Sequence, residues 1–142
     1  MKVYLSVPMI ANRSLPRATA MARAIVDAGH TVSSPWVLGP IEKRGVAAVN
    51  IFRRDKEAAE ASDAIVADVT DPSIGVGMEI MAAYVSGKRV ILLAKKGKVT
   101  SGMLADMDHK ETVEYESEED VYDLLLQALS HRVGGGPRLR DG

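Results

Sequence analysis

No cysteine occurs in the 142 residues, which excludes disulfides, thiolate catalysis and cysteine-based zinc sites. Aromatic residues are scarce at 4%, too few for an extended platform on which single-stranded bases would stack. An excess of one charge is missing as well. The 18 Lys and Arg stand against 19 Asp and Glu, a net of -1, so there is no general drive toward nucleic acid or an anionic membrane. No apolar run reaches membrane-spanning length. The three histidines, His30, His109 and His131, show no metal-ligand spacing. The opening Met1-Lys2-Val3-Tyr4-Leu5 runs straight into a strand pattern without signal-peptide features, so a soluble cytoplasmic protein is expected.

What is present is enough apolar residue, 46%, for a real core in one domain of ordinary size. Lys2 to Val7 reads as a buried first strand ended by Pro8, and Met9 to Ser14 as a loop. Leu15, Ala18, Met21, Ala22, Ile25 and Val26 recur at helical spacing, so a helix is predicted over 15–28, with Pro16 in its first turn and Gly29 at its end. A short strand, His30 to Ser33, precedes a loop, Ser34 to Gly45. A second helix is expected from Val46 to Ser62. Its core side would carry Ala47, Ile51, Ala58 and Ala61, with Arg53, Arg54, Lys56, Glu57 and Glu60 mostly outward.

A third strand, Ala64 to Val69, leads into Thr70-Asp71-Pro72-Ser73-Ile74-Gly75-Val76-Gly77 and then a helical pattern from Met78 to Ser86, stopped at Gly87. A fourth strand spans Arg89 to Ala94. Lys95 to Val99 is a charged turn, and Thr100 to Met107 a short helix or loop. Thr112 to Tyr115 is a fifth strand. Ser117 caps a last helix whose first acids, Glu118, Glu119 and Asp120, complement its dipole and which ends near Leu129. The remaining residues, 131–142, are rich in Gly, Pro and Arg and read as a mobile tail beyond a catalytic domain at 1–130. Strands alternating with helices predict an α/β fold: a single-domain, Rossmann-like (flavodoxin-like) five-stranded parallel sheet flanked by helices. No G-x-G-x-x-G follows the first strand, so the dinucleotide fingerprint is absent.

In this topology the loops after the strands converge on one rim. They carry Tyr4 to Arg13, Ser34 to Gly39, Thr70 to Glu79 and Lys95 to Met103. Glu79 is placed where the third helix should start, where backbone N–H groups would keep a carboxylate ionised. Gly75 and Gly77 remove bulk so that a substrate can approach the backbone. Such a carboxylate suits attack on an electrophilic sugar carbon; it could equally be a surface acid that complements the helix dipole. Asp55, flanked by Arg53, Arg54 and Lys56, reads on its own as a solvated charge. Asp68 is a second acid near the rim that could cap the following turn. Tyr4 reads by itself as a core residue whose hydroxyl needs a partner. Ser73, Ser101, Thr100 and Arg13 could together hold an anion such as a phosphate, or be ordinary loop chemistry. Trp36, the only tryptophan, could stack on a base or close the core. Arg17, Arg23, Lys43 and Arg44 read as surface charges.

The run Asp71-Pro72-Ser73-Ile74-Gly75-Val76-Gly77-Met78-Glu79, preceded by Ala61-Ser62-Asp63-Ala64-Ile65-Val66-Ala67-Asp68-Val69-Thr70, resembles the nucleoside 2-deoxyribosyltransferase superfamily. Within it the likeness is greatest to the 2'-deoxynucleoside 5'-phosphate N-hydrolases. It extends from Val3-Tyr4-Leu5 through Arg89-Val90-Ile91-Leu92 to Ser101-Gly102-Met103. The resemblance implies cleavage of the N-glycosidic bond of a nucleotide without metal or organic cofactor. Glu79 would be the nucleophile, Asp55 would assist proton transfer near the base, and Tyr4 would position sugar and nucleophile. Gly75, Gly77, Arg13, Trp36 and Met103 would fall in the substrate site. Transferases acting on free nucleosides carry an acid where Ser73 stands. A serine can donate to a phosphate that an acid would repel, and Ser101 matches a phosphate-contacting serine supplied by the partner subunit.

The resemblance therefore implies a homodimer or higher homo-oligomer with shared sites, acting on a 5'-monophosphate. Two departures stand out. The N-hydrolases carry Gly-Ser-Ile-Arg-Gly-Gly-Arg after the first strand, where this chain has Val7-Pro8-Met9-Ile10-Ala11-Asn12-Arg13, so only Arg13 of that phosphate grip is kept. A family histidine after the second strand aligns with Trp36. Two further activities fit the same residues: transfer of deoxyribose between bases, and nucleotide binding without turnover. Retention of Glu79, Asp55 and Tyr4 counts against the second.

Overall fold

The computed structural model describes residues 1–42, 50–98 and 100–130. The expected start of the second helix at Val46, its Ala47, the surface charges Lys43 and Arg44, and the tail at 131–142 lie outside the described residues. In chain order the elements are β1 (Lys2–Ser6), α1 (Leu15–Asp27), β2 (Thr31–Val32), α2 (Ile51–Ala61), β3 (Ala64–Asp68), α3 (Ile74–Val85), β4 (Arg89–Lys95), α4 (Gly102–Asp106), β5 (Lys110–Tyr115) and α5 (Val121–Ser130). A short 3-10 turn, Pro35–Leu38, lies in the loop after β2. The five strands form one all-parallel sheet in the order β2-β1-β3-β4-β5, as the alternating pattern predicts. Among the described residues no helix is long and apolar enough to cross a membrane.

Side chains alternate across a strand, and both sheet faces are covered, so the central strands β1, β3 and β4 feed two cores. Val3, Leu5, Ala64, Val66, Ile91 and Leu93 pack under α1 and α5, through Met21, Ile25, Leu125 and Leu129. Tyr4, Ile65, Ala67, Val90 and Leu92 pack on the opposite face under α2 and α3, through Ala59, Val76, Ile80 and Ala83. This alternation decides which rim side chains can meet. Tyr4 lies on the α2/α3 face, and Ser6, two residues on, falls on the same side.

The helix ends follow their capping residues. Ser14 accepts from the Arg17 N–H at the start of α1, Pro16 stands in its first turn, and Gly29 beyond its end has φ 91°. Gly87, φ 74°, follows α3 in the same way. Two expectations are corrected. Asn50 caps α2 through the Arg53 N–H, so the described helix begins at Ile51. Within it Ala59 is buried while Ala61 is exposed. Helix α3 begins at Ile74, not Met78, because the Ser73 hydroxyl accepts from the Val76 N–H and nucleates the helix through both glycines. Each glycine inside a helix costs about 1 kcal/mol relative to alanine. Burial of Val76, Ile80 and Ala83 against the sheet offsets that cost.

Candidate active site

Starting α3 at Ile74 makes Glu79 its sixth residue, in the second turn. The dipole of a helix acts within its first turn, so the expected stabilisation of Glu79 by the helix N-terminus does not hold. Its hydrogen bonds come from β1 instead. The Tyr4 hydroxyl donates to Glu79 Oε2 at 2.9 Å, and the Ser6 hydroxyl donates to Oε1 at 2.5 Å. Asp55, from α2, faces the same carboxyl within hydrogen-bonding reach.

Burial pushes the Glu79 carboxyl up. The Ser6 and Tyr4 donors pull it back down, and Asp55 raises it again, leaving it at about 7. Burial is also the main reason the Tyr4 hydroxyl is held far above the ordinary phenol range, with the Glu79 and Asp55 charges adding to it. Tyr4 therefore remains a donor at any physiological pH.

Asp55 is held from its other side. Arg54 Nε donates to Asp55 Oδ1 at 2.9 Å, and Arg54 Nη1 and Nη2 donate to Glu42 Oε2 and Oε1, each at 2.7 Å. The guanidinium lies over the Trp36 ring, 4.1 Å from its centre, and Trp36 meets Tyr4 edge-on at 6.4 Å. The expectation that Arg54 points outward is thus corrected, because a planar cation finds two carboxylates and an aromatic face at once. One face of Trp36 is covered by Arg54, and the ring packs against the cores on both sides of the sheet.

Two grooves flank α3. One, of about 440 Å³, lies between α2 and α3 and is lined by Glu79, Asp55, Gly75, Phe52 and Met78. The other, of about 690 Å³, lies between α3 and α4 and is lined by Ser73, Gly77, Ser101, Met103, Tyr84 and Leu104. The chain therefore brings together Tyr4, Asp55 and Glu79, with Gly75 beside them. It places Ser73, Gly77, Ser101 and Met103 on the far side of α3. Ser73 and Ser101 both cap helices, accepting from the Val76 and Leu104 N–H groups. Their hydroxyl protons stay available to donate. A Cβ built on Gly75 or Gly77 meets nothing within 4 Å, so internal packing does not demand glycine at either position.

Arg13 does not point into either groove. Its Nη2 donates to the carbonyls of Val37 at 3.0 Å and Gly39 at 2.5 Å, tying the β1–α1 loop to the 3-10 turn. Thr100 donates to the Val69 carbonyl. Asp68 caps the turn by accepting from the Thr70 N–H, as its position suggests, and lies on the α1/α5 face away from Glu79. Arg17 is not a surface charge. Its side chain, 11% exposed, bonds Asp68 at 3.0 Å and Glu118 at 2.9 Å. Among the described residues no cluster of three or more His, Asp or Glu could hold a metal ion.

Two members of the site escape a reading by motif. Ser6 carries a usable signal, since it is two residues from Tyr4 on a strand and must share its face. Arg54 carries none, because its partners Glu42 and Trp36 come from a loop whose path is set only in three dimensions.

No family model matches the chain. A protein of Thermofilum pendens named as a 2'-deoxynucleoside 5'-phosphate N-hydrolase 1 is 36% identical over 104 residues, 71% of this chain and 73% of the relative. A protein of Methanococcoides burtonii with the same name is 32% identical over 109 residues, 73% of this chain and 88% of the relative. The 5-hydroxymethyl-dUMP N-hydrolase of Danio rerio is 37% identical over 79 residues, 53% of this chain and 55% of the relative.

Two solved structures share the fold. The CMP N-glycosidase of Clostridium botulinum has a TM-score of 0.61 at 20% identity, covering 92% of this chain and 100% of its own. The 2-deoxyribosyltransferase of Bacillus psychrosaccharolyticus has a TM-score of 0.62 at 23% identity, covering 87% of this chain and 91% of its own. With a parallel sheet in this order and these relatives, the chain belongs to the 2'-deoxynucleoside 5'-phosphate N-hydrolase family, on the nucleoside 2-deoxyribosyltransferase-like fold.

Proposed function

We propose that the protein hydrolyses the N-glycosidic bond of (deoxy)nucleoside 5'-monophosphates, giving free base and (deoxy)ribose 5-phosphate. The observation that carries this reading is the Glu79 carboxyl at the mouth of the α2/α3 groove. Each of its oxygens accepts one neutral donor, and a second carboxyl faces it. Tyr4 and Ser6 fix the carboxylate plane while leaving each oxygen a lone pair for attack. Glu79 attacks the anomeric carbon as the bond to the base breaks, through an oxocarbenium-like transition state, and Asp55 gives its proton to the departing base. Asp55, now ionised, takes a proton from water. The resulting hydroxide equivalent displaces Glu79 from the anomeric carbon, which restores both groups. This is the logic of a retaining glycosidase applied to an N-glycoside.

Ser73 and Ser101 are the phosphate donors in this reading, but within one chain Ser73, Ser101 and Met103 all line the groove across α3 from Glu79. A second copy that sets its own Ser101 beside Glu79 completes the site, with Ser73 reaching the phosphate from the start of α3. The exposed apolar row Ile74, Met78, Met81 and Val85 along α3, with Phe52 and Met103 beside it, supplies the surface for such a copy. The protein then acts as a homodimer or larger homo-oligomer with shared sites.

The experiment is a panel of ribo- and deoxynucleoside monophosphates and free nucleosides, with and without a foreign base, scored by chromatography. Released base and sugar phosphate are expected. Glu79→Gln should lose at least ~10³-fold in kcat, the scale on which losing a covalent nucleophile is felt. A new nucleoside formed with the foreign base would mean transfer instead. Thermal stabilisation by ligand without any base release would mean binding alone. In the same panel, mixing inactive Glu79→Gln with weakened Ser101→Ala chains should regain activity if sites are shared, and no gain would sink the shared-site reading.

A further inference from the structure

Arg54 joins groups from separate parts of the chain. Its Nε reaches Asp55 beside it on α2, its two terminal nitrogens take both oxygens of Glu42, and its flat face covers Trp36. Trp36 touches Tyr4, Tyr4 donates to Glu79, and Glu79 faces Asp55. The contacts close into a ring, of which Asp55 and Glu79 line the groove. Lysine cannot replace arginine here, because it has neither a fork for Glu42, nor a side-on N–H for Asp55, nor a planar face for the indole.

Ion pairs still reached by solvent add little stability, so the consequence of this arrangement lies in aim. In a protonated carboxyl the carbonyl oxygen is the stronger acceptor, so the oxygen that faces a guanidinium N–H is the one left without the proton. With Asp55 Oδ1 occupied by Arg54 Nε, a proton on Asp55 sits on Oδ2.

We infer that Arg54 is a positioning residue that fixes Oδ2 of Asp55 as the proton-bearing oxygen and holds it in register with the Trp36 turn. The inference rests on the proposed role of Asp55 as proton donor to the leaving base. Arg54 touches neither sugar nor base in it and acts only through Asp55.

The test compares two substrates: a deoxynucleoside monophosphate, whose base must be protonated to leave, and 4-nitrophenyl 2-deoxyribose 5-phosphate, whose phenolate leaves without a proton. Arg54→Ala and Arg54→Lys should each lower kcat on the nucleotide by at least ~tenfold, within the range general acid catalysis supplies, while KM moves much less. The loss in kcat/KM on the nitrophenyl substrate, which reports only the step before Asp55 acts on water, should be under ~threefold. Millimolar guanidinium should restore part of the Arg54→Ala rate on the nucleotide, and ammonium should not. Glu42→Gln, which loosens Arg54 from outside, should show the same substrate split on a smaller scale, and it serves if the Arg54 variants fail to fold. Equal losses in kcat/KM on both substrates, or a change in KM alone, would overturn the positioning role while the activity itself stands. A wild-type protein that releases neither base nor nitrophenolate would overturn the hydrolase reading, and the proton-delivery role with it.

Discussion

On the α1/α5 face of the sheet, Asp68 accepts from the Arg17 guanidinium on one oxygen and from the Thr70 N–H on the other, each at 3.0 Å. Arg17 goes on to grip Glu118 with two nitrogens and lies over the Tyr115 ring, whose hydroxyl pairs with Thr70. On the α2/α3 face, Glu79 meets two neutral hydroxyls and another carboxyl, and among the described residues no cation donates to it. Both acids sit near the carboxyl ends of the strands. The first has its charge matched and its turn closed, which is what a structural carboxylate needs. The second is held in place but left uncompensated and open to a groove, which is how a reactive carboxylate is recognised. An arginine is near each site, yet Arg54 stops at Asp55 and leaves Glu79 alone.

The comparison breaks most visibly if the matched side is opened. Arg17→Met would strand a buried Asp68, whose side chain is 3% exposed. A loss of ~3–5 kcal/mol in stability is expected, with turnover per folded molecule nearly unchanged. Urea unfolding together with active-site-normalised rates measures both. A large drop in kcat with unchanged stability would put Asp68 in the chemistry and erase the distinction between the faces.

The uncompensated side gives the opposite sign. Because the Glu79 carboxyl is raised to about 7 in the fold, the native state holds a proton that the unfolded chain releases near its ordinary value. Stability from this group is full below the unfolded value near 4 and is lost as pH rises toward 7. Glu79→Gln removes the charge, so at pH 8 it should be more stable than the wild type by ~2 kcal/mol, with the gap closing toward pH 4. A destabilised variant at pH 8 would mean that the Glu79 charge is compensated after all. That gain, beside the loss of turnover expected for the same substitution, is the trade between stability and activity seen at strained sites.

The smallest effect refines the site itself. Tyr4→Phe and Ser6→Ala each remove a donor that favours ionised Glu79. The acidic limb of kcat/KM, expected near 7 in the wild type from the raised Glu79 carboxyl, should move up by about one pH unit in each variant. An unmoved limb in both variants would assign it to a group other than Glu79.

The linear chain carries a good part of this. The alternation of apolar strands with helical spacing, punctuated by Gly29 and Gly87, determines the parallel α/β sheet, because backbone hydrogen bonding and burial leave few other solutions. The family resemblance carried by the Asp71–Glu79 motif names Glu79, Tyr4 and Asp55, the three groups that the fold gathers, where pattern alone reads Tyr4 as core and Asp55 as a solvated charge. Pattern alone misplaces the start of α3, since two glycines argue against helix and only the packing of Val76 and Ile80 outweighs them. It also reads Arg17 and Arg54 as solvated, because charge in a sequence looks the same whether water or a carboxylate neutralises it.

Residue type and period, which are local, were decided by the sequence itself. The tertiary structure alone decided which oxygen of Glu79 meets Tyr4 and which meets Ser6, that Asp68 and Glu79 fall on opposite faces, and that Ser101 stands across α3 from the carboxylate it is expected to serve. Those outcomes depend on strand register and the paths of loops, which bring together residues as far apart as Ser6 and Glu79.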